Sequence, residues 1–244
     1  MSSTETPSTP TVEVAGSAAA ILPGATGPDV ELKYEFSPDL VTLTDARPAE
    51  AEAIRTVRTH IMAQHLADGR RGIAICAATP GVGCSFTAAN LAVALSQVGI
   101  ATLLIDADLR APQIESFIDP GGPTAGLKQY LETPDARPGD FIHDGVLPNL
   151  SVMYAGGVAD NAQELLGSDR FKSLVDRYLR DFEFTIIDTP AASKVADALR
   201  ISSMIGYTLI VAKAHSTRFN DVSLLAKQLQ EDGAEVVGTV LNEV

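Results

Sequence analysis

The run Ala78-Thr79-Pro80-Gly81-Val82-Gly83-Cys84-Ser85 lies between an apolar stretch at 72–77 and a helical pattern at 86–98. A glycine-containing turn in that setting aims backbone N–H groups at one point, which suits a chain of phosphates. The complete pattern for this chemistry is G-x-x-x-x-G-K-S/T. Its lysine reaches the β- and γ-phosphates, and its hydroxyl serves a magnesium ion. Here Ala78 opens the pattern, Ser85 supplies the hydroxyl, and a neutral thiol, Cys84, stands where the lysine belongs. A thiol at a helix start invites a redox reading, because the helix terminus favours thiolate. Loss of the lysine with a small residue tolerated is the simpler one.

Two further strand ends carry carboxylates. Leu103-Leu104-Ile105-Asp106-Ala107-Asp108-Leu109-Arg110 and Phe184-Thr185-Ile186-Ile187-Asp188-Thr189-Pro190 each run from apolar residues into an aspartate. Mg²⁺ takes oxygen ligands, commonly one or two carboxylates with a hydroxyl and phosphate oxygens. Ser85, Asp106 and Asp188 fit that shell, directly or through water. The plain alternative is that the aspartates only cap the turns that follow them. Two such ends beside one glycine-containing loop favour the metal reading.

Those residues need a scaffold that brings strand ends together. Residues 72–77, 101–105, 150–154, 184–187, 207–212 and 235–241 read as strands. Helical periodicity covers 48–67, with Ile54, Val57, Ile61 and Leu66 on one stripe. It recurs amphipathically over 86–98, over 168–180 (Phe171, Leu174, Val175, Tyr178) and over 219–232 (Val222, Leu225, Leu229), the last stopping at Gly233. Apolar strands alternating with helices predict an α/β fold, a mostly parallel β-sheet with helices on both faces. Ligands then bind at the carboxyl ends of the strands. The first residues are rich in Ser, Thr, Pro, Ala and Gly, so 1–40 is expected to be a flexible tail and 41–244 the domain.

Composition narrows the function. The chain has 244 residues, 45% of them hydrophobic, enough for one sizeable core. A net charge of −13 lacks the basic footprint that nucleic acid requires. No apolar run approaches the roughly 18 residues that span a bilayer, and the short apolar patch at 18–22 has no basic flank to make it a leader. Cys76 and Cys84 form neither a disulfide framework nor a metal cluster. The expected location is the cytoplasm, with no direct membrane insertion and no nucleic-acid partner.

Taken together, these segments resemble the bacterial tyrosine kinases of capsule and exopolysaccharide synthesis (BY-kinases, CpsD/CapB-like), in the stand-alone cytoplasmic form. Within the P-loop superfamily that group is similar to the MinD/ParA-type ATPases. The match spans about residues 45–244. The family's Walker A loop corresponds to Pro80 through Ser85, its D-x-D-x-R motif to Asp106, Asp108 and Arg110, and its Walker B motif to Ile186 through Pro190. Glu52, Arg55 and Arg58 match the E-x-x-R-x-x-R helix used for ring assembly. Asn161-Ala162-Gln163-Glu164-Leu165-Leu166 resembles N-P-x-E-L-L, and Leu241-Asn242 resembles the pair beside the adenine pocket. The resemblance implies ATP or ADP with Mg²⁺ held by Pro80, Gly81, Val82, Gly83, Cys84, Ser85, Phe86 and Asn242, with Ser85, Asp106 and Asp188 serving the metal. It implies that Asp106 and Asp108 orient or deprotonate an acceptor tyrosine. It further implies a homo-oligomer built through Glu52, Arg55 and Arg58, and a membrane polysaccharide co-polymerase on a separate chain. From spacing alone, that helix face is an ordinary solvated one with i,i+3 charge pairs.

Two departures qualify the resemblance. Cys84 removes the phosphate-binding cation, and losing one group aimed at developing charge costs about 10²–10³ in rate. Arg110, Lys213 or an arginine from a neighbouring subunit is the candidate substitute. The family's tyrosine-rich C-terminal substrate has no counterpart, since Tyr34, Tyr130, Tyr154, Tyr178 and Tyr207 are scattered. Tyr34 is the one expected to be a mobile acceptor. The sequence thus points to a kinase-like regulator of polysaccharide synthesis and export, catalytically impaired. An active autokinase with a substitute cation is the first alternative. A MinD/ParA-like positioning ATPase is the second, disfavoured by acidity and the absence of an amphipathic membrane helix.

Overall fold

The computed structural model describes residues 34–192 and 196–243. The tail expected over 1–40 falls mostly outside them. Its last residues, however, are packed. Glu35–Phe36 forms a strand, β1, and Leu40 is fully buried. After β1 come helix α1 (Pro48–Ile61), strand β2 (Gly72–Cys76), helix α2 (Cys84–Ser96) and strand β3 (Thr102–Asp106). A short helix α3 (Ile114–Phe117), strand β4 (Ile118–Asp119) and helix α4 (Leu127–Glu132) follow, then strands β5 (His143–Leu147) and β6 (Leu150–Met153). The second half holds α5 (Ala162–Leu166), α6 (Asp169–Asp181), β7 (Phe184–Asp188), α7 (Asp197–Ile205), β8 (Tyr207–Lys213), α8 (Phe219–Glu231) and β9 (Glu235–Asn242).

Seven strands form one sheet in the order β5-β6-β3-β7-β2-β8-β9. Every neighbouring pair is parallel except β5 with β6. All six expected strands are present. β5, whose residues include Asp144 and Gly145, carries no apolar run and escaped the periodicity. β2, β3 and β7 are buried at every residue, as strands covered by helices on both faces must be.

Two helices differ from expectation. α1 ends at Ile61 and continues as one wide π-helical turn, Met62–Leu66, whose buried residue is His65; Leu66 is only half buried. α2 is buried on nearly every side rather than amphipathic, because β2, β3, β6, β7, α1 and the 41–43 turn surround it. Its small residues, Ala88, Ala89, Ala92 and Ala94, permit that close approach. On the other face Arg170 donates to the carbonyls of Tyr130, Thr133, Pro134 and Ala136 at 2.6–2.9 Å, clamping the connection after α4.

Candidate functional site

The ends of β2, β3 and β7 converge as the alternating pattern requires. β7 lies between β2 and β3, and Asp188 is registered opposite both Asp106 and Ile75. Beyond β2 the chain makes the 78–83 loop and enters α2 at Cys84. Gly81 and Gly83 hold φ of 73° and 98°, a left-handed backbone that glycine adopts without a Cβ penalty. Gly83 is required for a second reason. A Cβ there would lie 2.3 Å from Asn242 Nδ2, the group that donates to the Val82 carbonyl at 3.0 Å. Asn242 at the end of β9 thus braces the loop from two strands away.

Asp106 and Asp188 are fully buried and face different surroundings. Asp106 Oδ1 accepts from Asp108 N at 3.1 Å, and Oδ2 accepts from Gln113 N at 3.3 Å and Ile114 N at 3.1 Å. Asp106 therefore anchors the start of α3. Burial pushes its carboxyl up to about 7, opposed chiefly by the Ile114 and Asp108 amides. Neither oxygen of Asp188 takes part in a hydrogen bond. Burial, and then the neighbouring Asp106 carboxylate, raise it well above the ordinary range; the Ser85 hydroxyl and the Thr189 amide, near it but outside hydrogen-bond geometry, offset this only in part. A buried carboxylate with no partner is costly unless it is protonated or meets a cation.

The loop supplies no such cation. Cys84 is partly exposed, and its thiol is raised well above its usual range by burial and then by the Asp188 carboxylate, so it stays neutral. Arg110, a candidate substitute for the lysine, is engaged by a carboxylate outside the loop. Its Nε donates to Asp197 Oδ2 at 3.0 Å, an ion pair whose aspartate is 2% exposed. Among the described residues, no lysine or arginine pairs with Asp106, Asp108 or Asp188. Asp108 Oδ1 accepts from Arg110 N and Ala111 N at 3.1 and 3.0 Å, fixing the turn after β3.

Other expected site residues are placed differently. The Phe86 ring packs beside Val41, Ala51 and Ile54 and edge-on to Phe117, so only its backbone belongs to the loop. Glu52 and Arg55 form an exposed i,i+3 pair at 3.5 Å. Arg58 turns inward, donating to the Ala94 carbonyl at 3.4 Å. Glu164 lies on α5 near Arg110, both lining a cleft of about 610 Å³. Tyr34, expected to be mobile, is half buried and bonded to His143. Asp197 is the site residue that sequence reasoning missed; its partner lies 87 positions away, and no local pattern marks the pair.

The donor set suits a divalent cation: one hydroxyl, Ser85, and two buried carboxylates, one of them without any partner. With such an ion bound, the loop amides and the metal together would carry the phosphate charge that the lysine normally shares.

Comparison with known proteins agrees with this architecture. Residues 73–244 match the CobQ/CobB/MinD/ParA nucleotide binding domain. A tyrosine-protein kinase, CpsD of Streptococcus agalactiae, is 33% identical over 202 residues, covering 83% of this chain and 86% of that one. Tyrosine-protein kinase ptk of Acinetobacter johnsonii is 30% identical over 213 residues; these cover 87% of this chain but 29% of that longer protein. The crystal structure of the chimerical protein CapA2B2 superposes with a TM-score of 0.77 at 30% identity, covering 85% of this chain and 91% of that one. A nucleotide-binding domain model over most of the chain, a kinase relative covered nearly end to end and a superposing kinase-family structure have one reading: the chain belongs to the bacterial tyrosine-kinase family of capsule and exopolysaccharide synthesis, within the MinD/ParA-type superfamily.

Proposed function

We propose that this chain is a kinase-like regulator of surface-polysaccharide synthesis and export that binds Mg²⁺-nucleotide and transfers phosphate slowly or not at all. One observation carries the reading. The unpartnered Asp188 carboxylate sits beside a phosphate-cradling loop that has Cys84 in place of its lysine. The retained carboxylates support a metal-nucleotide role, and the lost cation argues against fast turnover. Phosphoryl transfer depends on positioning and on stabilising charge at the transferred group. A charge-assisted contact is worth about 1.5–3 kcal/mol, so binding is weakened without being abolished.

In this reading Ser85, Asp106 and Asp188 hold Mg²⁺, directly or through water, and the 80–86 backbone holds the phosphates. Asp108 has one oxygen committed to the Arg110 and Ala111 amides, and the other is the group that would orient an acceptor hydroxyl. The exposed Glu52–Arg55 pair and Arg58 serve a homo-oligomer contact. The expected partner is a membrane-embedded polysaccharide co-polymerase on a separate chain, which would recruit this one to the inner membrane face. No helix among the described residues is long and apolar enough to cross a membrane.

Calorimetric titration with Mg-ATP and Mg-ADP tests the nucleotide arm. Micromolar binding is expected, and loss of it in an Asp106→Ala, Asp188→Ala variant. Absence of binding by the unaltered protein would overturn it. An active autokinase remains the second reading, because β8 neighbours β2 and ends in Lys213 at the same sheet edge. ATP-dependent tyrosine phosphorylation abolished by Lys213→Ala and by Asp106→Asn would establish it instead.

A further inference from the structure

The residues preceding the domain's first turn make a strap. Tyr34 Oη lies 3.1 Å from His143 Nδ1 in a hydrogen bond, with its ring edge-on to the imidazole. His143 in turn stands edge-on to the buried Tyr154, ring centroids 5.0 Å apart. Burial pushes the His143 pKa below its ordinary value, so its neutral ring leaves a nitrogen able to accept from the phenol. Beyond Tyr34 the strap pairs β1 with β4, Ser37 N donates to the Phe117 carbonyl at 2.9 Å, and Asn90 Nδ2 donates to the Asp39 carbonyl. Leu40 and Val41 are then fully buried, fixing the point where any peeling stops.

The strap's own strand pairing is minimal. β1 spans only two residues, and Glu35 lies opposite Asp119, a like-charge pair that disfavours the ladder. The Tyr34–His143 contact is the anchor. The segment it covers, α3 and β4, begins with the Gln113 and Ile114 amides that occupy Asp106 Oδ2. A continuous path therefore joins Tyr34 to the candidate metal carboxylate.

The other four tyrosines are less available. Tyr130, Tyr154 and Tyr178 are buried, and Tyr207 is half buried under the Arg70 guanidinium at 4.5 Å. Tyr34 alone is freed by undocking a strap rather than by opening the core. We propose that Tyr34 is a phosphorylation site at which a protein-tyrosine kinase on another polypeptide releases residues 34–39 and loosens the α3 turn on Asp106. The consequence at Asp106 rests on the nucleotide-site reading; the modification and the release do not. In the transfer, the γ-phosphorus–oxygen bond of ATP breaks and a bond from that phosphorus to Tyr34 Oη forms. The phenolic proton passes to the kinase's base and ADP leaves.

The docked state has no place for the product. Burial and then the Asp144 carboxylate raise the Tyr34 phenol, and burial, with Tyr34, Glu115 and Asp119 after it, raises the adjoining Tyr154. Among the described residues, no lysine or arginine pairs with any of these three carboxylates. A dianionic phosphate half buried near them, with no cation paired there among the described residues, is repelled.

The test treats the full chain with a broad-specificity protein-tyrosine kinase and ATP, removes both, and compares amide hydrogen exchange with that of the untreated protein. Tyr34→Phe serves as the unmodifiable control. The expected result is phosphate on Tyr34 and at least tenfold faster exchange at 35–39 and 113–119, with the β2 and β3 amides unchanged. Phosphate on Tyr34 with exchange unchanged would overturn the release. No phosphate on Tyr34 in either the unaltered protein or His143→Ala, where the anchor is gone, would overturn the site. Since this chain's own nucleotide binding plays no part, failure here is separable from failure of the calorimetric test.

Discussion

Cys84 occupies a position whose chemistry is set by its neighbours. Asp188 and Asp106 form a buried anionic floor at the ends of β7 and β3, and a neutral thiol leaves that floor unbalanced. Restoring the cation has a calculable effect. Cys84→Lys is expected to tighten Mg-ADP binding roughly ten- to a hundredfold, the equivalent of about 1.5–3 kcal/mol for a charge-assisted contact. Calorimetry on the variant reads this directly, and unchanged affinity would mean the phosphates do not lie where the loop puts them. The same floor sets a pH dependence. Asp106 and Asp188 are raised, so the folded protein holds their protons more tightly than the unfolded chain does. The Asp106 contribution is fully present below the ordinary carboxylate value near 4 and is lost as pH rises through about 7, and that of Asp188 has the same sign. In chelator, the protein should therefore melt at lower temperature at pH 8 than at pH 5. Asp188→Asn should narrow that difference, while Mg²⁺ should narrow it for the unaltered protein only.

At the scale of elements, the loop is held as much by β9 as by its own turn. Asn242 fills the space above Gly83 and donates to the carbonyl between the two glycines, so loop and strand end are one unit. Gly83→Ala would force a non-glycine residue to φ near 98° and displace the Asn242 side chain. The expected cost is about 1–3 kcal/mol in denaturant unfolding, together with weaker nucleotide binding. Gly81, with a positive φ but open space at its Cβ position, supplies the comparison. Gly81→Ala should incur the backbone strain and spare the Asn242 brace. α3 is the other element tied to the site. It is too short to be stable alone, and the amides at its start, Gln113 and Ile114, are satisfied by the buried Asp106 carboxylate.

For the whole molecule, a net charge of −13 makes self-association depend on a few well-placed cations. α1 offers two of different character. Arg55 is 41% exposed and, among the described residues, pairs with Glu52, whereas Arg58 is drawn onto α2. Arg55→Glu is expected to shift sedimentation toward smaller species with the melting temperature unchanged. Arg58→Glu should lower both, since it also removes the contact to Ala94. An Arg55→Glu protein that sediments like the unaltered one would remove α1 from the assembly surface.

The sequence by itself determined six of the seven strands of the main sheet, that these six run parallel, and that the 78–85 loop, Asp106 and Asp188 meet at one sheet edge. These follow from local periodicity and from the rule that such sheets present their strand ends together. It also placed Cys84 in the missing lysine's position. Contacts between residues distant in the chain were decided only by the tertiary structure. Arg110 is paired with Asp197, Asp106 accepts from the Asp108, Gln113 and Ile114 amides while the Asp188 oxygens have no hydrogen-bond partner, and Tyr34 is docked on His143, 109 positions away. Antiparallel β5 and the packed strap escaped the sequence for the same reason. Neither carries a hydrophobic period of its own, and each gains order only from the surface it lies against.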